Sequence, residues 1–242
     1  MTKRVGTPFL FLACSLLPIA AAHAALPDAA ASTSPGFIRL VGGTPSGPDV
    51  TDGLFTVIVR TSGGATIDGS RVTVSICEAG DLRISQNQQN AAYTVNCAGG
   101  TVSALTDNQG QVDFTILGAS TGQFVGSSVR GTVKIFADDP VTHQNVLISD
   151  PSSVTGLICS TPDEDGNGGL TASDLSTASH DFGLPWQRSD FNGDGVVDSA
   201  DEDVLAGILF AGRMTVSFPP FCTSCATPTR TGTWGALKLL YR

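Results

Sequence analysis

Two twelve-residue stretches in the C-terminal half of the chain repeat one arrangement of oxygen-bearing side chains. The first runs Asp163-Glu164-Asp165-Gly166-Asn167-Gly168-Gly169-Leu170-Thr171-Ala172-Ser173-Asp174. The second runs Asp190-Phe191-Asn192-Gly193-Asp194-Gly195-Val196-Val197-Asp198-Ser199-Ala200-Asp201. Counted from its first Asp, each has side-chain oxygens at positions 1, 3, 5, 9 and 12 and Gly at position 6. Carboxylates crowded into a compact loop repel one another unless a cation neutralises them. Calcium, a hard cation, takes about six to eight oxygens at roughly 2.3–2.6 Å. Alternate side chains point inward, Gly at position 6 permits the bend, and position 7 contributes its carbonyl. The expected ligands in the first loop are Asp163, Asp165, Asn167, the Gly169 carbonyl, Thr171 and Asp174. In the second they are Asp190, Asn192, Asp194, the Val196 carbonyl, Asp198 and Asp201, so two calcium ions are expected. Residues 163–203 hold eleven of the 22 acidic residues and one basic residue, Arg188. The repeated spacing separates these loops from a plain solvated acidic run.

Each loop leads into helical spacing. Val204, Leu205, Ile208 and Leu209 share one face before Gly212, and Leu175, Ala178 and Phe182 do so before Gly183. Leu170 and Val197, both at position 8, are expected to join the loops through a short β-bridge. Position 12 is Asp in both loops, where the ordinary EF-hand has Glu. No helix is expected ahead of either loop. Loop-then-helix, twice over residues 159–212, resembles the type I dockerins. That resemblance implies docking onto a cohesin module, often in assemblies that degrade polysaccharides. The contact positions it assigns are Ala172, Ser173, Ser199 and Ala200, with one hydroxyl per repeat where the family pattern has a Ser-Thr-like pair. Trp186, in the linker between the repeats, is either a binding anchor or a cap on the small apolar core. A core this small depends on metal for its stability.

Residues 36–155 follow a different period. Phe55, Val57 and Val59 alternate with Thr56, Ile58 and Arg60, and Val72, Val74 and Ile76 with Thr73, Ser75 and Cys77. Val112, Phe114 and Ile116, then Val133, Ile135 and Ala137, continue the alternation. Turn residues separate the runs at Ser62-Gly63-Gly64, Asp68-Gly69, Ala98-Gly99-Gly100 and Asp107-Asn108-Gln109-Gly110. Period two with frequent turns predicts a mainly β fold, an antiparallel sandwich. The runs at 55–60, 69–74 and 106–114 resemble bacterial Ig-like domains of the invasin type. In that family the last run is a hairpin that delivers an inward Phe. The resemblance implies a spacer, adhesion or sugar-contacting role, and so an architecture more than an activity.

The N-terminus addresses the compartment. Lys3 and Arg4 precede an apolar run from Val5 to Ala22 that ends in Ala22-His23-Ala24, the features of a secretory signal peptide over residues 1–24. Removing Lys3 and Arg4 takes the formal charge from −9 to −11, which disfavours nucleic acid and anionic lipid as partners. No other segment is long enough to span a bilayer. Residues 25–35 read as a linker. In an exported chain disulfides are expected: Cys77–Cys97 as a local pair, and Cys159 with Cys222 clasping the acidic segment. Cys222–Cys225 is the alternative, and which cysteine stays free is left open. Residues 213–233 read as a linker and 234–242 as an amphipathic tail.

No nucleophile elbow, phosphate loop or dinucleotide fingerprint occurs, and Asp138-Asp139 reads as a turn, not as a carboxylate pair. The expectation is a non-catalytic, exported or cell-surface calcium-binding protein whose partner is a cohesin-like or other surface protein, with carbohydrate as a further ligand class. A calcium-rigidified structural or adhesive protein and a component of a carbohydrate-active hydrolase are the alternatives.

Overall fold

The computed structural model describes residues 25–44, 47–122, 129, 131–149, 156–212 and 220–222. The expected signal peptide, the C-terminal tail and Cys225 lie outside the described residues. The chain is mainly β. Its strands are β1 (Phe37–Arg39), β2 (Gly43–Thr44), β3 (Gly47–Pro48), β4 (Leu54–Ile58), β5 (Arg71–Ser75), β6 (Leu82–Ile84) and β7 (Thr94–Asn96). They continue with β8 (Thr101–Leu105), β9 (Gln111–Thr115), β10 (Gly118–Ser120), β11 (Lys134–Asp138), β12 (Asn145–Leu147) and β13 (Ile158–Ser160). One helical turn, α1 (Val50–Gly53), interrupts them where the Asp49 carboxylate accepts from the Thr51 and Asp52 amides. The two real helices follow the acidic loops: α2 (Ala172–His180) and α3 (Ser199–Phe210).

Five strands form one antiparallel sheet in the order β12-β11-β5-β8-β7. Facing it, residues 111–120 run as a spine. Gln111–Thr115 pairs with β4, Leu117 bridges Val41 in parallel, and Gly118–Ser120 pairs with β6. The alternation seen in the sequence sets the facing: Phe55, Val57, Val72, Val74, Val112, Phe114, Ile135 and Ala137 all enter one buried cluster. Phe114 stacks on Phe55 at 5.4 Å and meets Tyr93 at 5.3 Å.

The expected hairpin at 106–114 resolves differently. Asp107 does turn the chain, accepting from Gln109 and Gln111 through Oδ1, and Gly110 takes φ +70° where a Cβ would lie 2.7 Å from the Val59 carbonyl. The two arms, however, belong to different layers: both edges of β8 are filled by β5 and β7, so β9 pairs with β4 instead. The Asp138-Asp139 step is a turn, with Asp139 Oδ1 accepting from the Val141 and Thr142 amides.

The expected linker at residues 25–35 is built into the body. Thr33 bridges Ile58, and Arg60 exchanges bonds with Asp28, Ala31 and Ser32, so residues 25–35 dock beside β4. At the other boundary, β13 pairs in parallel with β1, placing Cys159 beside Ile38. The disulfides differ from expectation as well. Cys97 bonds Cys222 across 125 residues with Cα atoms 4.9 Å apart, and Cys159 is the free, buried cysteine. Cys77 is disulfide-bonded, though not to Cys97. The reason is placement: the amide of Cys222 donates to Ile84, which seats it in the sandwich core, while Cys159 is held in β13.

Candidate metal centre

The two loops share a backbone frame. Each takes positive φ at positions 4 and 6: Gly166 (+66°) and Gly168 (+95°), then Gly193 (+75°) and Gly195 (+92°). Each closes on its position-12 carboxylate. Asp174 Oδ1 accepts from the Asp165 amide and Oδ2 from the Thr171 amide; Asp201 Oδ1 accepts from the Asn192 amide and Oδ2 from the Asp198 amide. Positions 9 and 12 thereby form capping boxes that start α2 and α3. The same spacing that suits a cation also nucleates a helix.

In the first loop the oxygens of Asp163, Asp165 and Asp174 all lie within 4.8 Å of one another. Asp163 and Asp174 are buried, and Asp163 Oδ1 has no hydrogen-bond partner. Burial, then repulsion from Asp174 and Asp165, pushes the Asp163 carboxyl up to about 7. Burial raises Asp174 too, against the pull of the amides it accepts from. Asn167 turns to Asp165, donating Nδ2 to its Oδ2, and accepts from the Gly169 amide. The Thr171 hydroxyl donates to Asp174 Oδ2.

The second loop is built alike but gathers fewer carboxylates. Asp190 and Asp201 are buried, and burial plus the charge of Asp201 raises the Asp190 carboxyl. Asp190 accepts from the Gly193 and Gly195 amides. Asn192 donates to Asp194, Asp194 accepts from the Val196 amide, and Asp198 accepts from Ala200. Asn192, Asp194, Val196 and Asp198 are exposed. Among the described residues, the first loop holds the one group of three acidic side chains at metal-binding separation.

Several features were not anticipated. No β-bridge joins Leu170 to Val197 among the described residues; the Val197 carbonyl accepts from Gly183, and Leu170 packs inward instead. The small core is Ala178, Phe191 and Leu205, while Trp186 lies outside it and lines a cleft of about 530 Å³ with Leu184, Pro185, Val197, Asp190 and Asp194. Gly at position 4 seats both loops on the sandwich. A Cβ on Gly166 would lie 2.6 Å from the Ser120 carbonyl, and one on Gly193 2.7 Å from the Phe37 ring. Two sandwich arginines reach across: Arg83 donates to the Gly166 carbonyl and Arg39 to the Phe191 carbonyl. Arg188, the single basic residue of the acidic segment, is buried, with Nε 2.8 Å from Asp181 and 3.2 Å from Glu164. Its isolation among acids was the sequence signal. The four expected partner-contact residues, Ala172, Ser173, Ser199 and Ala200, are exposed on the first turns of α2 and α3.

No family model, no curated protein and no solved structure matches the chain. Among the described residues, no helix is long and apolar enough to cross a membrane.

Proposed function

We propose that the chain is an exported, non-catalytic calcium-binding protein whose two acidic loops each hold one ion. One observation carries this reading: three carboxylates of the first loop converge within 4.8 Å, and one of their buried oxygens has no hydrogen-bond partner. A divalent cation relieves both the repulsion and the unmet acceptor. The basic, apolar and small-residue order of residues 1–24 supports export, as does the Cys97–Cys222 disulfide. The dockerin-like repeat, with its exposed helix starts, favours docking onto a cohesin-type or other surface partner, in the setting of polysaccharide degradation. Calorimetric titration with calcium tests the loops. Asp163→Ala with Asp174→Ala should remove one equivalent, and Asp190→Ala with Asp201→Ala another. Unchanged stoichiometry in both variants sinks the reading.

A second reading is favoured by the way the loops are anchored. Arg39, Arg83, Gly166 and Gly193 fasten them to the sandwich, and Ile208 of α3 shares a core with Val41 and Leu117. Calcium would then rigidify a structural or adhesive surface protein. Binding to a panel of purified cohesin modules, with and without chelator, separates the two. Calcium-dependent binding supports docking, and calcium uptake without any binding supports the structural role.

A further inference from the structure

The dipeptide Asn-Gly occurs twice in the chain, and both copies lie inside the acidic loops, at Asn167-Gly168 and Asn192-Gly193. The other five asparagines, Asn87, Asn90, Asn96, Asn108 and Asn145, precede residues that carry a side chain. The distinction is chemical. The backbone nitrogen after an asparagine needs only to close a five-membered ring to reach the side-chain amide carbon. A side chain on that following residue crowds the approach and stiffens the backbone, and glycine does neither.

The fold itself dictates glycine at both places. Gly168 takes φ +95° and Gly193 φ +75°, a backbone that a residue with a Cβ adopts only under strain. The asparagines before them are exposed, so water reaches both, and they are held alike. Asn167 Oδ1 accepts from the Gly169 amide at 2.9 Å, and Asn192 Oδ1 from the Asp194 amide at 2.8 Å. Asn167 Nδ2 donates to Asp165 Oδ2, and Asn192 Nδ2 to Asp194 Oδ2. An amide aimed at a carbonyl oxygen stabilises the negative charge that gathers there when the carbon is attacked. On the other side, the Gly193 amide donates to Asp190 Oδ1 at 2.8 Å, and the Gly168 amide bonds Asp163. Each bond draws the proton away from the nitrogen that attacks.

We propose that Asn167 and Asn192 are modification sites: in the calcium-free chain each closes onto the following glycine and reopens as aspartate or isoaspartate, and bound calcium prevents it. The glycine nitrogen bonds Cγ, and the Cγ–Nδ2 bond breaks. The glycine nitrogen gives its proton to solvent, and the expelled side-chain nitrogen takes one from solvent and leaves as ammonia. Water then opens the cyclic imide at one of its two carbonyls. One opening leaves aspartate. The other routes the chain through the side chain and lengthens the backbone by a methylene, which displaces every ligand after it in the loop. Water is the only co-reactant. Calcium's part rests on the loop reading above. Ring closure bends the backbone between ligands, and an ion gripping the asparagine oxygen together with the neighbouring carboxylates resists that bend.

Peptide mapping decides it. The full exported chain is aged at neutral pH in EDTA and in saturating calcium, and each asparagine is followed by mass spectrometry, with an isoaspartyl methyltransferase marking isoaspartate. In EDTA, Asn167 and Asn192 should convert while the other five stay amides; conversion no faster than theirs overturns the proposal. Asn192→Gln, whose longer side chain has to close a six-membered ring, should keep its amide while Asn167 still converts, and conversion at the rate of the unaltered chain overturns the ring-closure step. In calcium, both conversions should slow by roughly tenfold or more. Calorimetry on the fresh chain separates this proposal from the loop reading. Ions that bind without slowing either conversion overturn the protection proposed here. A chain that takes up no calcium sinks the loop reading instead, and the EDTA arm still judges the modification sites.

Discussion

Arg188 shows how much one side chain can hold. It is 1% exposed, bonds Asp181 through two nitrogens and stands 3.2 Å from Glu164. Removing it leaves buried acids without their counter-charge, which costs about 3–5 kcal/mol where such pairs have been broken. Arg188→Met should therefore lower the urea midpoint severely. Lys134→Met, which breaks a pair between half-buried Lys134 and exposed Glu78, should shift it by less than about 1 kcal/mol. Comparable shifts in the two variants would contradict this. The loop carboxylates carry a second residue-scale consequence. Asp163 titrates at about 7 against an ordinary 3.8, so between those values the folded chain holds a proton that the unfolded chain has released. Stability then falls as pH rises through that window. Glu164, Asp174 and Asp190, raised chiefly by burial, push the same way, while Asp139, lowered by the amides it caps, opposes them. Metal-free protein should have a higher urea midpoint at pH 5 than at pH 8, with calcium affinity falling as pH drops below 7. A higher metal-free midpoint at pH 8 would count against the burial of these acids.

At the scale of elements, the two loops are one solution used twice, and glycine tests it. Gly193→Ala forces φ +75° on a residue with a Cβ and pushes that atom into the Phe37 ring, so a loss of about 1–3 kcal/mol is expected. Gly207, inside α3, has nothing within 4 Å of its would-be Cβ. Gly207→Ala should stabilise by roughly 0.5–1 kcal/mol, because alanine is the better helix former. Thermal melts of the two variants should move in opposite directions; movement in the same direction would mean that the loop does not seat on Phe37. These elements also mark how far the sequence could be read. The strands at 54–58, 71–75, 111–115 and 134–138 were legible because one face of each is buried and the alternation records it. The frame the two loops share was legible because its glycine and carboxylate spacing is local. β13 was not, since Ile158, Cys159 and Ser160 are all buried and leave no alternation. Nor was the separation of β8 from β9, because strand partners are chosen by residues distant in the chain. Gly at position 4 was visible in both loops, yet only the Phe37 ring and the Ser120 carbonyl give it a reason.

At the scale of the whole molecule, the β-rich part and the acidic loops share contacts across the boundary between them. The Cys97–Cys222 disulfide closes 125 residues, from β7 to the far side of the acidic segment, and by loop-closure entropy stabilises by roughly 5 kcal/mol. β13, within that ring, pairs with β1 outside it, and Ile208 of α3 packs with Leu117 within the ring and Val41 outside it. Sequence alone divided the chain between residues 155 and 159, because composition and period both change there. The pairing that crosses this boundary depends on contacts more than a hundred residues apart, which no local pattern encodes. A two-unit chain would lose its loops on chelation and keep its sandwich. A chain with these shared contacts should instead pass the loss on, since anything bound only by the folded state stabilises all that folds with it. Scanning calorimetry with calcium should show a single endotherm, and excess EDTA at pH 8 should move the whole of it to lower temperature. Ile208→Ala, expected to cost about 2–4 kcal/mol by opening a cavity in the shared core, should split the transition or lower it further. A sandwich endotherm that stays in place under EDTA while a smaller one disappears would mean that the two parts fold independently and that the shared contacts do not couple them.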